Sequence, residues 1–375
     1  MDEAMRLEEL GLNTVPEKYV CAKHIEEPAI RNFIRKTASR GYCDYCEKST
    51  SVIPLEDLME FIMEAALRSY TDPANFMSYD TSEGGYLGNV YNADEILQEH
   101  FNLEIADSSL FKDVFSSIDT CKPWADEMES RDSPSDILLY NWNYFKKVVK
   151  HRSRYFFGMV KDFSSDDYPI QYKEMLAEIG SSVKNFDLVK KIEVGTKFYR
   201  CRQHIKGDKS VSTPEGMTSP PEKFAVNPNR MSPSGISMFY GAFEIETALE
   251  ETLDFENKEI QYFTTVAFQS KKVLNVIDLS SLPKIPSAFD PKKFKDRYRV
   301  IFLKNFIEDL TAPIKRDGRV HIEYVPTQII TEFFRYPFSN RLSKGNRIDG
   351  IIYPSSKNGK NACVLFLDNK EGLTG

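Results

Sequence analysis

The spacing of apolar residues changes at about residue 190, and the change divides the chain into a helical part and a strand-rich part. Upstream, Leu55, Leu58, Met59, Ile62 and Ala66 recur at helical intervals behind Pro54. Proline suits a first helical turn because its missing N–H would have no partner there. A second helix is expected from Ser133-Pro134, with Leu138, Trp142, Phe145 and Val149 on one face and Lys146, Lys147 and Lys150 off it. Residues 72–92, rich in turn formers, read as a loop. Downstream, residues 197–203, 237–243, 260–269, 273–279, 320–325, 350–354 and 363–367 are short β-branched or aromatic runs bounded by turns, and each reads as a strand. A long loop over 204–234 carries Pro214, Pro220, Pro221, Pro228 and Pro233.

The 375 residues leave room for two or three domains, each with its own core. Three zones are expected: residues 1–50, short of helical periodicity and holding a cysteine cluster; a helical domain over 51–190; and a mixed α/β domain over 191–375. The class is α+β. No internal repeat is found.

The net charge of −7 argues against a protein built to track nucleic acid backbone. No apolar run approaches the roughly 18 residues of a bilayer span, so no membrane is expected. The start, MDEAMRLEEL, lacks the basic and apolar regions of a signal peptide. The six cysteines are clustered near the start or scattered, which suits a reducing compartment, and the cytoplasm is expected.

Cys21-x₂-His24 and Cys43-x₂-Cys46 form two knuckles. Each two-residue gap lets one turn present both side chains to the same ion, and two such turns close a tetrahedron around Zn²⁺. With four protein ligands and no open position, the zinc would be structural. The bland alternative is three cysteines packed as small hydrophobes, with His24 on the surface.

In the strand-rich half, Arg200 sits in the run FYRCR, Arg230 ends a Pro/Asn-rich loop, and Tyr240 closes the next strand. The helix EIETALEETL follows, on which Ile245, Ala248, Leu249 and Thr252 share one face while Glu246 and Glu250 point to solvent. Glu251 falls at the edge of the apolar face, and a half-buried carboxylate there needs a partner or a task. Taken singly, such an arginine is usually an ion-pair residue and such a tyrosine usually core. No GxGxxG or P-loop spacing occurs, which counts against a dinucleotide-binding dehydrogenase or an NTPase.

The stretch from Arg230 through Glu251 resembles the signature of RES-domain proteins: an Arg, a Gly a few residues on (Gly235), a strand ending in Tyr240, then Ala248 and Glu251 eight and eleven residues after it. The family's earlier Arg matches Arg200, and its late Ser matches Ser355 or Ser356. The N-terminal half resembles the HEPN-related domain found fused to RES domains, in the cysteine knuckles, in the EGGY loop (83–86) and in residues 142–157. His24 departs from that pattern, which has a cysteine there, an exchange that zinc tolerates.

The resemblance implies an ADP-ribosyltransferase-like RES domain that degrades NAD⁺, as a glycohydrolase or phosphorylase, in a toxin–antitoxin or defence system. It implies that Glu251 stabilises positive charge on the ribose as nicotinamide leaves. Arg200 and Arg230 would clamp the pyrophosphate, and Tyr240 would border the nicotinamide ribose. Ser355 would position nicotinamide or the ribose hydroxyls, with Asn361 as a further candidate. An antitoxin or regulatory protein is an implied partner, and a homo-oligomer remains open. The same residues would serve a mono-ADP-ribosyltransferase acting on a protein. A HEPN-type RNase would need an Arg-x₄₋₆-His motif, whose one match, Arg316 to His321, lies in the other half. The helical half is therefore expected to act as a sensor or docking module.

Overall fold

The computed structural model describes residues 3–82, 84–126, 134–160, 172–253, 262–313, 318–342 and 347–374. Glu83 of the EGGY loop, Ser133 of the expected helix start and Arg316 lie outside them. The chain divides into two compact units, Met1–Asp136 with Ile285–Arg299, and Ile137–Lys284 with Val300–Gly375.

The first unit contains more helix at its start than the sequence pattern suggested. Helices α1 (Glu3–Leu10) and α2 (Pro28–Thr37) both fall within the first 50 residues. In α2 the buried Ile30 and Ile34 are one turn apart, Pro28 opens the helix, and the Glu27 carboxylate accepts from the Ile30 N–H at 2.8 Å. The helix is only three turns long, too short for its periodicity to stand out. Strands β1 (Tyr19–Val20), β2 (Ser39–Cys43) and β3 (Lys48–Pro54) form an antiparallel sheet in the order β1-β3-β2. Helix α3 (Leu55–Leu67) begins behind Pro54 as expected and buries Leu55, Leu58, Met59, Ile62 and Ala66. Helix α4 (Ser108–Ser116) adds Leu110 and Val114 to the same core. So does Phe289, whose ring meets Phe101 edge-on at 5.5 Å.

The second unit is built on a seven-stranded sheet. Its elements in chain order are α5 (Pro134–His151), α6 (Tyr172–Asn185), β4 (Val189–Ile192), β5 (Lys197–His204), β6 (Phe239–Ala242), α7 (Ile245–Thr252), β7 (Tyr262–Gln269), β8 (Leu274–Asp278), α8 (Phe294–Thr311), α9 (Val325–Phe333), β9 (Gly350–Pro354) and β10 (Asn361–Leu365). Residues 300–311 of α8 belong to this unit. The strand order is β7-β5-β6-β10-β9-β8-β4. Only β8 and β9 run parallel, and the helices α8 and α9 supply the long crossover that a parallel pair requires.

Side-chain alternation puts Ile351, Tyr353, Ala362 and Val364 on one face of the sheet and Ile352, Cys363 and Leu365 on the other. The first face carries the main core of the unit. Trp142, Phe145 and Val149 of α5, Met175, Ile179 and Val183 of α6, and Phe302 and Phe306 of α8 pack there. The helices α5 and α6, grouped by sequence with the N-terminal zone, share a core with the strands, and the compact units part near residue 136.

Residues 320–325 are not a strand. Val320–Glu323 form a helical turn, closed by Tyr324 N–H to Val320 O at 3.0 Å, and α9 follows with Pro326 in its first turn. Val325, Ile330 and Phe333 face the core, so helical packing overrode a six-residue alternation. Strand β4 gave no sequence signal, because its two lysines, Lys190 and Lys191, sit exposed on a sheet edge.

Candidate functional site

Strands β5 and β6 pair only at Tyr199 and Ala242. Beyond that register they part, and a cavity of about 990 Å³ opens beside them, lined among others by Arg200, Arg230, Tyr240 and Glu251. Its size is at the upper end of the roughly 300–1,000 Å³ of small-molecule sites.

Arg200 spans the gap where ladder bonds would otherwise be. Its Nη1 donates to the Tyr240 carbonyl at 2.7 Å, and its guanidinium lies 5.4 Å from the Phe239 ring centre. Its Nε is buried with no hydrogen-bond partner among the described residues. Burial, with the neighbouring Arg202, pulls this guanidinium down to about 10, so it stays charged at neutral pH. A desolvated cation with a spare donor on a cavity wall is suited to an anion.

Arg230 uses Nη1 to cap the end of α8, donating to the carbonyls of Leu310 at 2.9 Å and Ala312 at 2.8 Å. Its loop is tied to α9: Thr327 donates to the Arg230 carbonyl, and Gln328 Nε2 to the carbonyls of Asn229 at 2.9 Å and Ser232 at 3.2 Å. The Tyr240 hydroxyl accepts from the Met231 N–H at 3.2 Å and meets Ser232 Oγ at 3.0 Å. Burial pushes this phenol up to about 12, so it remains neutral.

Glu251 is set by α7. Ala248, one turn earlier, is buried with Cys201 and Ala242, which turns the carboxylate toward the cavity. The buried companion of Ala248 is Thr247, whereas Ile245, expected on that face, is exposed. Ser355 donates its hydroxyl hydrogen to Glu251 Oε1 and accepts from the Lys357 N–H at 3.1 Å. The turn behind it is closed by Ser355 N–H to Lys360 O and Gly359 N–H to Ser355 O, each 2.8 Å. Asn358 Nδ2 docks the turn onto α7 through Thr247 Oγ1 at 3.2 Å.

Ser355 itself is buried behind the wall, and Ser356 and Lys357 line the cavity. Two expected binding residues do not line it. Gly235 sits in a turn at φ +86°, with its N–H on the Ala225 carbonyl at 2.7 Å. Asn361 starts β10 and gives its carbonyl to Phe243 N–H at 3.2 Å. Among the lining residues that went unnoticed in the sequence are Arg202, Tyr324 and Tyr353. Tyr353 shares a face with Ile351 by strand alternation, and burial, then the charge of Glu251, holds its phenol well above the usual value. Tyr324 has its ring 5.8 Å from the Arg230 guanidinium and was hidden by the strand reading of 320–325.

Two protein-family models match the chain: HEPN/RES N-terminal domain 1 over residues 36–163 and the RES domain over residues 197–373. The chain is a RES-domain protein. A search of curated proteins and of solved structures found no match. The cavity and every residue named in its wall lie within the RES match, and at family level a RES domain is consistent with a toxin acting on NAD. No helix among the described residues is long and apolar enough to cross a membrane.

The RES-domain protein also carries a candidate metal site in its first unit. Cys21, His24, Cys43 and Cys46 bring their ligand atoms within 4.8 Å of one another. Cys21 Sγ and Cys46 Sγ are 3.8 Å apart, and Cys43 Sγ and His24 Nε2 are 3.5 Å apart. A tetrahedron with Zn–S bonds of about 2.3 Å has edges of roughly 3.8 Å, so the donor set fits zinc. The other ring nitrogen, His24 Nδ1, lies 3.1 Å from Asp107 Oδ2. The second oxygen of Asp107 caps α4, accepting from the Ser109 and Leu110 N–H groups at 3.0 Å each. This carboxylate therefore aims His24 Nε2 at the thiols.

Proposed function

We propose that the RES domain binds NAD⁺ in this cavity and breaks its nicotinamide–ribose bond, as the toxin of a toxin–antitoxin or defence system. The observation that carries the reading is Glu251, held by Ser355 in a wall that also presents Arg200 and Tyr240. Departure of nicotinamide leaves positive charge on the ribose, and a fixed carboxylate in a partly dry cavity stabilises that charge without reorganising. The arginines supply planar donors for the pyrophosphate; each already spends Nη1 on backbone carbonyls, which fixes the position of its remaining donors. Tyr240, neutral and pinned through its hydroxyl, offers its ring to the nicotinamide ribose. The first unit would hold a structural zinc and regulate the enzyme.

The test is purified protein with NAD⁺, with and without inorganic phosphate, beside Glu251→Gln. Nicotinamide release that requires Glu251 supports the reading. Free ADP-ribose identifies a glycohydrolase, a phosphate-dependent phosphorylated product identifies a phosphorylase, and modified protein identifies a transferase. Equal release by Glu251→Gln overturns the site.

A further inference from the structure

One row of paired residues crosses the sheet beneath the cavity. Tyr199 of β5 lies opposite Ala242 of β6, Ala242 opposite Ala362 of β10, and Ala362 opposite Tyr353 of β9. All four line the cavity. Residues directly opposite in a ladder share a face, so two methyl groups lie between two phenols, with about 14 Å between the outer strands. The alanines leave room for a ligand to lie against the strands, and a ligand there meets Tyr353 at one end.

Two buried phenols of the wall are used differently. The Tyr240 hydroxyl is spent on Met231 N–H and Ser232 Oγ. Tyr353 is 8% exposed, and its hydroxyl has no hydrogen-bond partner among the described residues. That hydroxyl is not sealed off, and it opens on the cavity that the residue lines. A buried phenol usually finds a partner, and one left without it costs stability that a phenylalanine of the same shape would not. Glu251 is close enough for its charge to be the second cause, after burial, of the raised Tyr353 phenol. Yet Glu251 Oε1 takes its hydrogen bond from Ser355. The O–H of Tyr353 therefore remains as a donor beside the carboxylate, for a group that the carboxylate also holds.

We propose that Tyr353 reads the nicotinamide-side ribose, donating a hydrogen bond to its 2′- or 3′-hydroxyl oxygen while Glu251 accepts from the same diol. This rests on the reading of the cavity as an NAD⁺ site. A ribose hydroxyl both donates and accepts, so a vicinal pair is matched by one acceptor and one donor side by side. A lysine or arginine in that place would oppose the positive charge that develops on the ribose, and a neutral phenol does not.

The experiment measures nicotinamide release by the full chain and by Tyr353→Phe. The substrates are NAD⁺ and its analogues lacking the 2′- or the 3′-hydroxyl on the nicotinamide-side ribose. For an analogue that is not cleaved, its inhibition constant takes the place of kcat/KM. Tyr353→Phe should lower kcat/KM for NAD⁺ about 10-fold or more, because a site built to bond a hydroxyl depends on that bond. The difference between the two proteins should vanish on one analogue, which names the hydroxyl that Tyr353 holds. The ligand-free variant should melt at or slightly above the wild-type temperature. Equal activity of both proteins on NAD⁺ overturns the proposal, and so does the same loss on all three substrates. A melting point lowered by more than a few degrees also overturns it, since the hydroxyl would then serve the fold. In each of these cases the NAD⁺ reading stands, whereas no nicotinamide release by wild type overturns both.

Discussion

Ser355 and Glu251, 104 residues apart in the chain, are joined by a hydrogen bond from the serine hydroxyl to the carboxylate at the wall of the RES-domain cavity. The serine is buried and its own position is fixed by a closed turn, so under the proposed reading it would act on the reaction by aiming Glu251. A hydrogen bond to a charged group contributes about 1.5–3 kcal/mol. Ser355→Ala is expected to lower kcat for nicotinamide release about 10- to 100-fold with little change in KM. Glu251→Gln keeps an acceptor for Ser355 but loses the charge, and should lower kcat by about 100-fold or more. A change confined to KM in either variant would assign these residues to ground-state binding.

The zinc reading makes a separate prediction about Asp107. Its carboxylate lies 3.1 Å from His24 Nδ1 and caps α4. Asp107→Asn retains an oxygen for the cap but loses the anion that orients the imidazole. Zinc affinity should fall about 10- to 100-fold, measured by competition with a chromophoric chelator. Chelation of the wild-type protein should unfold the segment around the knuckles, followed by circular dichroism, without directly blocking the chemistry.

The parts legible in the sequence were those set by local spacing. Tyr240, Ala248 and Glu251 could be placed because a strand–turn–helix keeps fixed offsets, and Cys21, His24, Cys43 and Cys46 because two tight turns make two ligand pairs. What escaped was decided by distant packing. Nothing near Ile245 in the chain shows that Thr247 takes the buried position, since that depends on the turn carrying Asn358. Phe289 reads as part of the strand-rich half, yet its core lies in the first unit. Gly235 fits the family spacing for a reason of backbone conformation, and that reason does not bring it to the cavity.

The shared core of the second unit predicts where the chain cannot be cut. Trp142, Phe145, Val149, Met175, Ile179 and Val183 pack with Ile277, Ile351 and Val364 of the sheet. Burial of six such side chains contributes roughly 10–20 kcal/mol, comparable to the about 5–15 kcal/mol of net stability that holds a domain together. A fragment of residues 191–375 is expected to aggregate or to lack a cooperative unfolding transition by calorimetry. Removal of residues 1–190 would therefore report loss of the fold, whatever regulatory role the first unit has. A well-folded, active 191–375 fragment would show that α5 and α6 are dispensable to the core.

Arg200 tests whether the cavity is built for an anion or merely tolerates a buried cation. Its charge is disfavoured by burial, its Nε lacks a partner among the described residues, and its bond to Tyr240 O contributes about 1 kcal/mol. Arg200→Met removes the desolvation cost along with that bond, so the ligand-free protein should unfold within a few degrees of wild type. The two proteins should differ once ligand is present. At about 100 times Kd, NAD⁺ stabilises its receptor by about 2.7 kcal/mol, which raises Tm by roughly 5–10 °C in a unit of this size. That rise is expected in Glu251→Gln, where turnover cannot consume the ligand, and should vanish when Arg200→Met is added. A double variant that still gains the full shift would mean that Arg200 only bridges β5 and β6, and that the pyrophosphate is held elsewhere in the wall.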